Sequence, residues 1–141
     1  MKKYFIFSLL SILVGCAQTD KPALVGTDRD EHGCIGSAGY TYSAVKNGCV
    51  RLWEEGIALF PQHLAANQAL MAAYAIVGNN TAEVFLPEQQ NPLHLVLQSS
   101  SEEPQWVTTD GSGWKLTADS SDRWTLLQNE VPLYTNEKPV H

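Results

Sequence analysis

Long apolar runs are missing from this 141-residue chain. The longest, residues 4–14, is too short to cross a bilayer as a mature helix. Cations are scarce: nine Lys and Arg stand against fifteen Asp and Glu, a formal net charge of −6. Phosphate recognition needs a basic face, so nucleic acid is excluded as a partner. Cysteine is sparse, three in all, and no two have Cys-x-x-Cys spacing, which removes the dithiol redox class. There is no Gly-x-Ser-x-Gly elbow and no phosphate loop. His32, His63, His94 and His141 show no ligand spacing to one another, and His94 reads as a sheet-face residue rather than a general base. Glu54-Glu55 and Glu102-Glu103 are adjacent pairs. Neighbours on a strand point to opposite faces, so neither is a natural acid/base pair. The chain therefore reads as a non-enzyme with no cofactor and no metal.

What is present centres on residues 33–57, which hold Cys34, Cys49, Tyr40, Tyr42, Trp53 and an Asn47-Gly48 pair. Asn-Gly is the strongest short signal for a two-residue hairpin turn, because both central residues must accept positive φ. The flanks, Tyr40-Thr41-Tyr42-Ser43-Ala44-Val45 and Cys49-Val50-Arg51-Leu52-Trp53, are rich in β-branched and aromatic residues. A hairpin about Asn47-Gly48 pairs Lys46 with Cys49, Val45 with Val50 and Tyr42 with Trp53. The competing reading is a helix over 43–59, in which Gly48 costs about 1 kcal/mol against Ala.

At the N-terminus, Met1-Lys2-Lys3 is a basic head, followed by the apolar run and then Leu13-Val14-Gly15-Cys16. This resembles the lipobox of bacterial lipoproteins: an apolar residue, two small positions (Val14 is bulkier than usual), then cysteine. The resemblance implies a signal peptide over 1–15, cleavage before Cys16, a diacylglyceryl thioether on Cys16 and an acylated amine, palmitate typically. The chain would then be held to the membrane by its N-terminal lipid, and several acyl chains anchor firmly where one is marginal. Ala17 follows Cys16, where lipoproteins retained in the inner membrane carry Asp. The implied place is the cell envelope, at the outer membrane facing the periplasm or the surface. Loss of Lys2 and Lys3 with the leader leaves seven basic against fifteen acidic residues, a net −8. Such a charge suits a basic protein partner met by electrostatic steering.

Residues 16–27 read as a polar tether. Asp28, Asp30 and His32 alternate, but the third acidic position, the glycine and the distant Glu of a calcium loop do not line up. This stretch reads as a solvated charged turn. With Cys16 taken by lipid, Cys34 and Cys49 form an even pair in an oxidising compartment, and a structural disulfide is expected. Closing their 15-residue loop contributes about 3 kcal/mol in the chain-entropy model. Residues 28–60 are thus one disulfide-bounded module. Its Cys-bounded pattern resembles one found in bacterial envelope proteins, without implying an activity.

Residues 54–68 read as a loop with a helical turn, and the alanine-rich 65–75 suits either strand or helix. From 69 to 136 the signals are β. Strands are expected over 70–77, 81–86, 93–97, 106–108, 114–118, 123–128 and 131–135, with turn residues every 8 to 12 positions and Asn129-Glu130 joining the last two. That spacing predicts a mainly β domain, a small antiparallel barrel or sandwich packed with the module. Phe85, Trp106, Trp114, Trp124 and Tyr134 are its expected core aromatics. The tail from 136 to 141 reads as frayed.

The series 82–87 (AEVFLP), 93–98 (LHLVLQ), 113–116 (GWKL), 124–128 (WTLLQ) and 131–134 (VPLY) is similar to the membrane-bound inhibitors of C-type lysozyme. Those are small antiparallel barrels that block the lysozyme cleft with a loop carrying Ser and Lys. The stretch Asp110, Gly111, Ser112, Gly113, Trp114, Lys115 stands in that place here as the candidate binding loop. Its spacing departs from the family's Ser-Gly-x-x-Tyr, so no inhibitory residue carries over. The reading is a lipid-anchored envelope binding module, lysozyme-inhibitor-like. Its alternative is a structural or stress-related envelope lipoprotein with no discrete ligand.

Overall fold

The computed structural model describes residues 28–99 and 102–139. The expected signal peptide, the lipidation site Cys16 and the tether over 16–27 lie outside the described residues. The described chain has two layers of organisation. A small N-terminal module carries a 3-10 turn (Gly36–Ala38), strands β1 (Thr41–Ser43) and β2 (Gly48–Val50), and the one-turn helix α1 (Leu52–Glu55). Eight further strands follow: β3 (Ile57–Pro61), β4 (Ala73–Val77), β5 (Thr81–Phe85), β6 (Leu93–Ser99), β7 (Gln105–Val107), β8 (Trp114–Ala118), β9 (Trp124–Gln128) and β10 (Val131–Thr135). They form a closed antiparallel barrel in which each strand pairs with its sequence neighbour and β10 returns to β3.

The barrel follows from alternation. On β8, Trp114, Leu116 and Ala118 are buried while Lys115 and Thr117 are not, the period-2 pattern of a strand with one wet face. The same alternation places Leu59, Ala73, Ala75, Ala82, Val84, Leu95, Trp106 and Leu126 in one interior cluster. Eight strands enclose just enough space for side chains to fill. The small residues of β4, Ala73 and Ala75, lie across the barrel from Trp114 and Leu116 of β8, so small faces large. Trp106 and Trp124 stack with centroids 5.6 Å apart, Tyr134 packs against the same cluster, and Phe85 is half-buried. Asn129 (φ 49°) and Glu130 (φ 65°) make the tight β9–β10 turn.

A second, smaller core lies outside the barrel. Ile76 and Glu83 point outward from β4 and β5, and the module covers them, so that Cys34, Ser43, Val50, Ile76 and Glu83 are all at most 2 % exposed. Cys34 and Cys49 form a disulfide that closes the module.

Several sequence expectations are corrected. The hairpin is there, and the 43–59 helix is not, but the register differs: Tyr42 faces Cys49, Thr41 faces Val50 and Ser43 faces Gly48. The turn is the four-residue 44–47, with the Asn47 amide on the Ala44 carbonyl and Asn47 alone of the pair at positive φ. The expected pairing of Tyr42 with Trp53 is therefore absent, and Trp53 sits on α1. The reason is a distant acceptor, the Glu83 carboxylate, described below. Residues 57–61, read as loop, are β3, the strand that closes the barrel. Residues 65–72 are neither helix nor strand. Within the tail expected to fray, Asn136 and Glu137 are held. Asn136 caps the β8–β9 turn by accepting from the Trp124 amide at 3.0 Å, and Arg123 pairs with Glu137 at 2.9 Å.

Candidate functional site

The site is built on Glu83. Its neighbours on β5, Ala82 and Val84, face the barrel interior, so the carboxylate must leave through the outer wall. There the module's hairpin turn closes over it. Ser43 Oγ donates to Glu83 Oε2 at 2.5 Å, the Ala44 amide to Oε1 at 3.0 Å, and the Val45 amide to Oε2 at 3.3 Å. Ser43 Oγ in turn accepts from the Lys46 amide at 3.2 Å. A carboxylate that is 2 % exposed persists only when its lone pairs are filled, and here the turn fills them. These bonds also set the hairpin register, because they fix Ser43, Ala44 and Val45 as the turn's entry.

His94 of β6 stands directly across the ladder from Glu83, with Nδ1 3.6 Å from Oε1 and two-thirds of its side chain exposed. Around it lies a groove. One lobe, about 410 Å³, runs between module and barrel past Asp30, Glu31, His32, Tyr42 and Glu83. A second lobe, also about 410 Å³, continues along the barrel to Thr108, Thr109 and Asp110, and shares Asn91, Pro92 and His94 with the first. The His32 ring stacks on Tyr42 at 3.7 Å and 12° and forms a flat wall of the first lobe. Asp30 is held in place by accepting the His32 and Cys34 amides at 2.9 and 2.8 Å, so the disulfide rigidifies that wall.

Asp30, Glu31, Glu83 and Asp110 all line the groove, and no Lys or Arg does. The Asp110 carboxyl is held below its ordinary value of 3.8, chiefly by the Ser112 hydroxyl and then by the Ser112 amide. It stays charged across the neutral range. The groove is therefore a negative concavity with aromatic and imidazole walls.

His94 Nδ1 stands 3.6 Å from Glu83 Oε1, and Ser43 Oγ bonds the carboxylate rather than the imidazole. Among the described residues no group of three or more His, Cys, Asp or Glu is disposed to hold a metal.

The candidate loop Asp110, Gly111, Ser112, Gly113, Trp114, Lys115 divides. Asp110 borders the groove, and Asp110, Ser112 and Thr108 form a closed hydroxyl–carboxylate turn. Gly111 and Gly113 take positive φ, and a Cβ on Gly113 would lie 2.1 Å from Asn129 Oδ1. Trp114 is 8 % exposed and belongs to the barrel core. Lys115 is ion-paired with Glu130 of the neighbouring turn. Sequence reasoning missed Glu83, the His32–Tyr42 wall and Asn91. A signal for Glu83 was present: a single carboxylate inside the apolar strand 81–86.

No family model matches this sequence, and comparison with curated proteins and with solved structures returns no significant match.

Proposed function

We propose that this chain is a lipid-anchored cell-envelope protein that binds a basic protein partner, taking a cationic segment into the groove beside His94. The observation that carries this reading is the lining: three exposed carboxylates, Asp30, Glu31 and Asp110, over the buried Glu83, and no compensating Lys or Arg, in a concavity whose walls are fixed by the disulfide and the Glu83 bonds. The net charge of −6 acts in the same direction at long range, raising the encounter rate with a basic partner. The lipobox supplies the address and the membrane attachment at Cys16.

A lysozyme-type partner is the specific form of this reading. It is favoured by one observation, the closed eight-stranded antiparallel barrel, the architecture expected from the resemblance to lysozyme inhibitors. The two routes to such a partner are separable. Inhibition through the β7–β8 turn depends on Ser112 and Lys115, whereas capture of a cationic segment depends on Glu31 and Asp110.

The test is the effect of the chain from residue 17 onward on turnover by a C-type lysozyme. It should slow turnover, and the effect should survive moderate salt, since a purely electrostatic adduct dissolves as screening rises. Glu31→Gln with Asp110→Asn should weaken it if the groove is used, and Ser112→Ala or Lys115→Ala if the turn is used. No binding and no inhibition at a several-fold excess would favour a structural envelope lipoprotein without a discrete ligand.

A further inference from the structure

One exposed surface belongs neither to the groove nor to the barrel core. Trp53 is 58 % exposed and Tyr40 36 % exposed, and both lie on the module. Arg51 joins them. Its guanidinium stacks over the Tyr40 ring at 4.6 Å, its Nε donates to the Ala38 carbonyl at 3.2 Å, and its Nη1 pairs with Glu54 at 3.1 Å. Trp53 is set against Gly39, where an added Cβ would lie 2.0 Å from the ring, so Gly39 is what lets the indole lie there. A Trp, a Tyr and an Arg held rigidly side by side and left open to solvent are an unpartnered surface.

The place of this surface in the chain argues for its occupant. Asp28, the first described residue, is fastened to the 3-10 turn. Its carboxylate accepts from Ser37 Oγ at 2.8 Å and from the Ser37 amide at 2.6 Å. The C-cap of that same turn is Gly39, under Trp53. Asp28 therefore sits one 3-10 turn from the exposed indole. Eleven residues, 17–27, lie between Cys16 and Asp28, twelve Cα–Cα steps with a maximal reach of about 40 Å. A chain tethered within that distance has its exit face within reach of the surface that holds its own anchor. Trp and Tyr are the residues that settle at a headgroup layer, with an apolar ring and a polar edge. Tethering supplies an effective concentration in the millimolar range, so a contact too weak to hold a free protein is populated.

We propose that the Tyr40–Arg51–Trp53 face rests on the lipid headgroup layer around the chain's own anchor, holding the groove at a fixed orientation to the membrane. The proposal rests on the anchoring read from the lipobox. Charge specifies the lipid. Asp28, bonded to the 3-10 turn, and Glu55, on the same helical turn as Trp53, adjoin the face, and Arg51 is already engaged by Glu54 and Tyr40. A zwitterionic surface suits this face, and an anionic one repels it.

The test couples the chain 16–141 through its Cys16 thiol to a maleimide lipid in phosphatidylcholine vesicles; Cys34 and Cys49 are closed in the disulfide. Quenching by acyl-chain-brominated phosphatidylcholine is then read from the tryptophan emission. The wild type should lose the red-edge emission of an exposed indole. Trp53→Phe should lose most of the difference between brominated and plain vesicles, because Trp106 and Trp114 are inside the barrel and the half-buried Trp124 stacks on Trp106. Replacing half of the lipid with phosphatidylglycerol should reduce the wild-type quenching. Absent quenching in the wild type, undiminished quenching in Trp53→Phe, or stronger quenching on anionic vesicles would each overturn the proposal. Artificial coupling keeps this result separate from the anchor itself, whose failure would show only as missing native lipid on Cys16.

Discussion

Replacing Glu83 by Gln tests the joint between module and barrel. The substitution keeps the shape and removes the charge. Three donors converge on the carboxylate, the Ser43 hydroxyl and the Ala44 and Val45 amides. A hydrogen bond to a charged group contributes about 1.5–3 kcal/mol, and a buried donor left unpaired costs about 1–3 kcal/mol. Gln retains one carbonyl oxygen, enough for one or two of the donors, and turns an amide NH₂ toward the third. One charge-assisted bond is lost and one donor is left unpaired or repelled. Removing the desolvation of a carboxylate that is 2 % exposed offsets part of this. The expected net loss is about 2–4 kcal/mol. For a domain of this size that corresponds to a fall of about 10 °C in Tm.

The loss has a location as well as a size. Ala82 and Val84 still face the barrel interior, so the barrel should hold while the module loosens. Amide hydrogen exchange at Ala44 and Val45 should accelerate well before exchange in β4 and β5. Ser43→Ala removes a single partner, and the double variant should lose less than the sum of the two, because both changes remove the same bond. A Glu83→Gln protein with wild-type Tm and unchanged protection at Ala44 and Val45 would refute the joint.

The remaining predictions concern the anchor and the acid limb. Radiolabelled palmitate should enter the wild-type chain and not Cys16→Ser; equal labelling of both would remove the lipoprotein reading. Asp28, Asp110 and Asp119 are all held below 3.8, by the Ser37 hydroxyl, the Ser112 hydroxyl and the Arg123 and Ser121 amides respectively. A carboxyl depressed in the folded state adds stability that is complete above its ordinary value and is lost as pH falls through the lower folded one. Tm should therefore drop below about pH 3.8, and Asp119→Asn should shallow that limb while leaving the neutral-pH slope alone.

The β half was legible because its strands alternate and its turns carry their own chemistry. Residues 114–118 and 131–135 match β8 and β10 end for end, and Asn129-Glu130 forms the turn expected of it. Cysteine counting reached the Cys34–Cys49 bridge for the same reason: only local facts were needed. The failures are non-local. The hairpin register was misread because Asn47-Gly48 competes with an acceptor 40 positions away, and three bonds to Glu83 outweigh the preference of one turn dipeptide. β3 was read as loop because Ile57-Ala58-Leu59-Phe60 is short, bracketed by Gly56 and Pro61, and pairs at one edge with the chain's last strand. The groove was invisible because its walls come from the module, the β5–β6 ladder and the β7–β8 turn, which no sequence spacing relates.

The closure of the barrel has a kinetic consequence. Every ladder from β3 to β10 joins sequence neighbours and can form as a local hairpin. The exception is the seam between β3 and β10, which brings together Phe60 and Thr135 across the whole domain. The seam is also the shortest ladder, with two paired positions against five between β8 and β9, and is reinforced by Gln62 reaching Thr135 Oγ1 at 2.7 Å. Loop-closure entropy therefore falls on the last and weakest rung of assembly. In the folded protein the same seam, with the fewest paired positions, is where local opening is expected to cost least. Each opening unpairs the backbone of β3 and β10 and turns a molecule without edges, for that moment, into one with two.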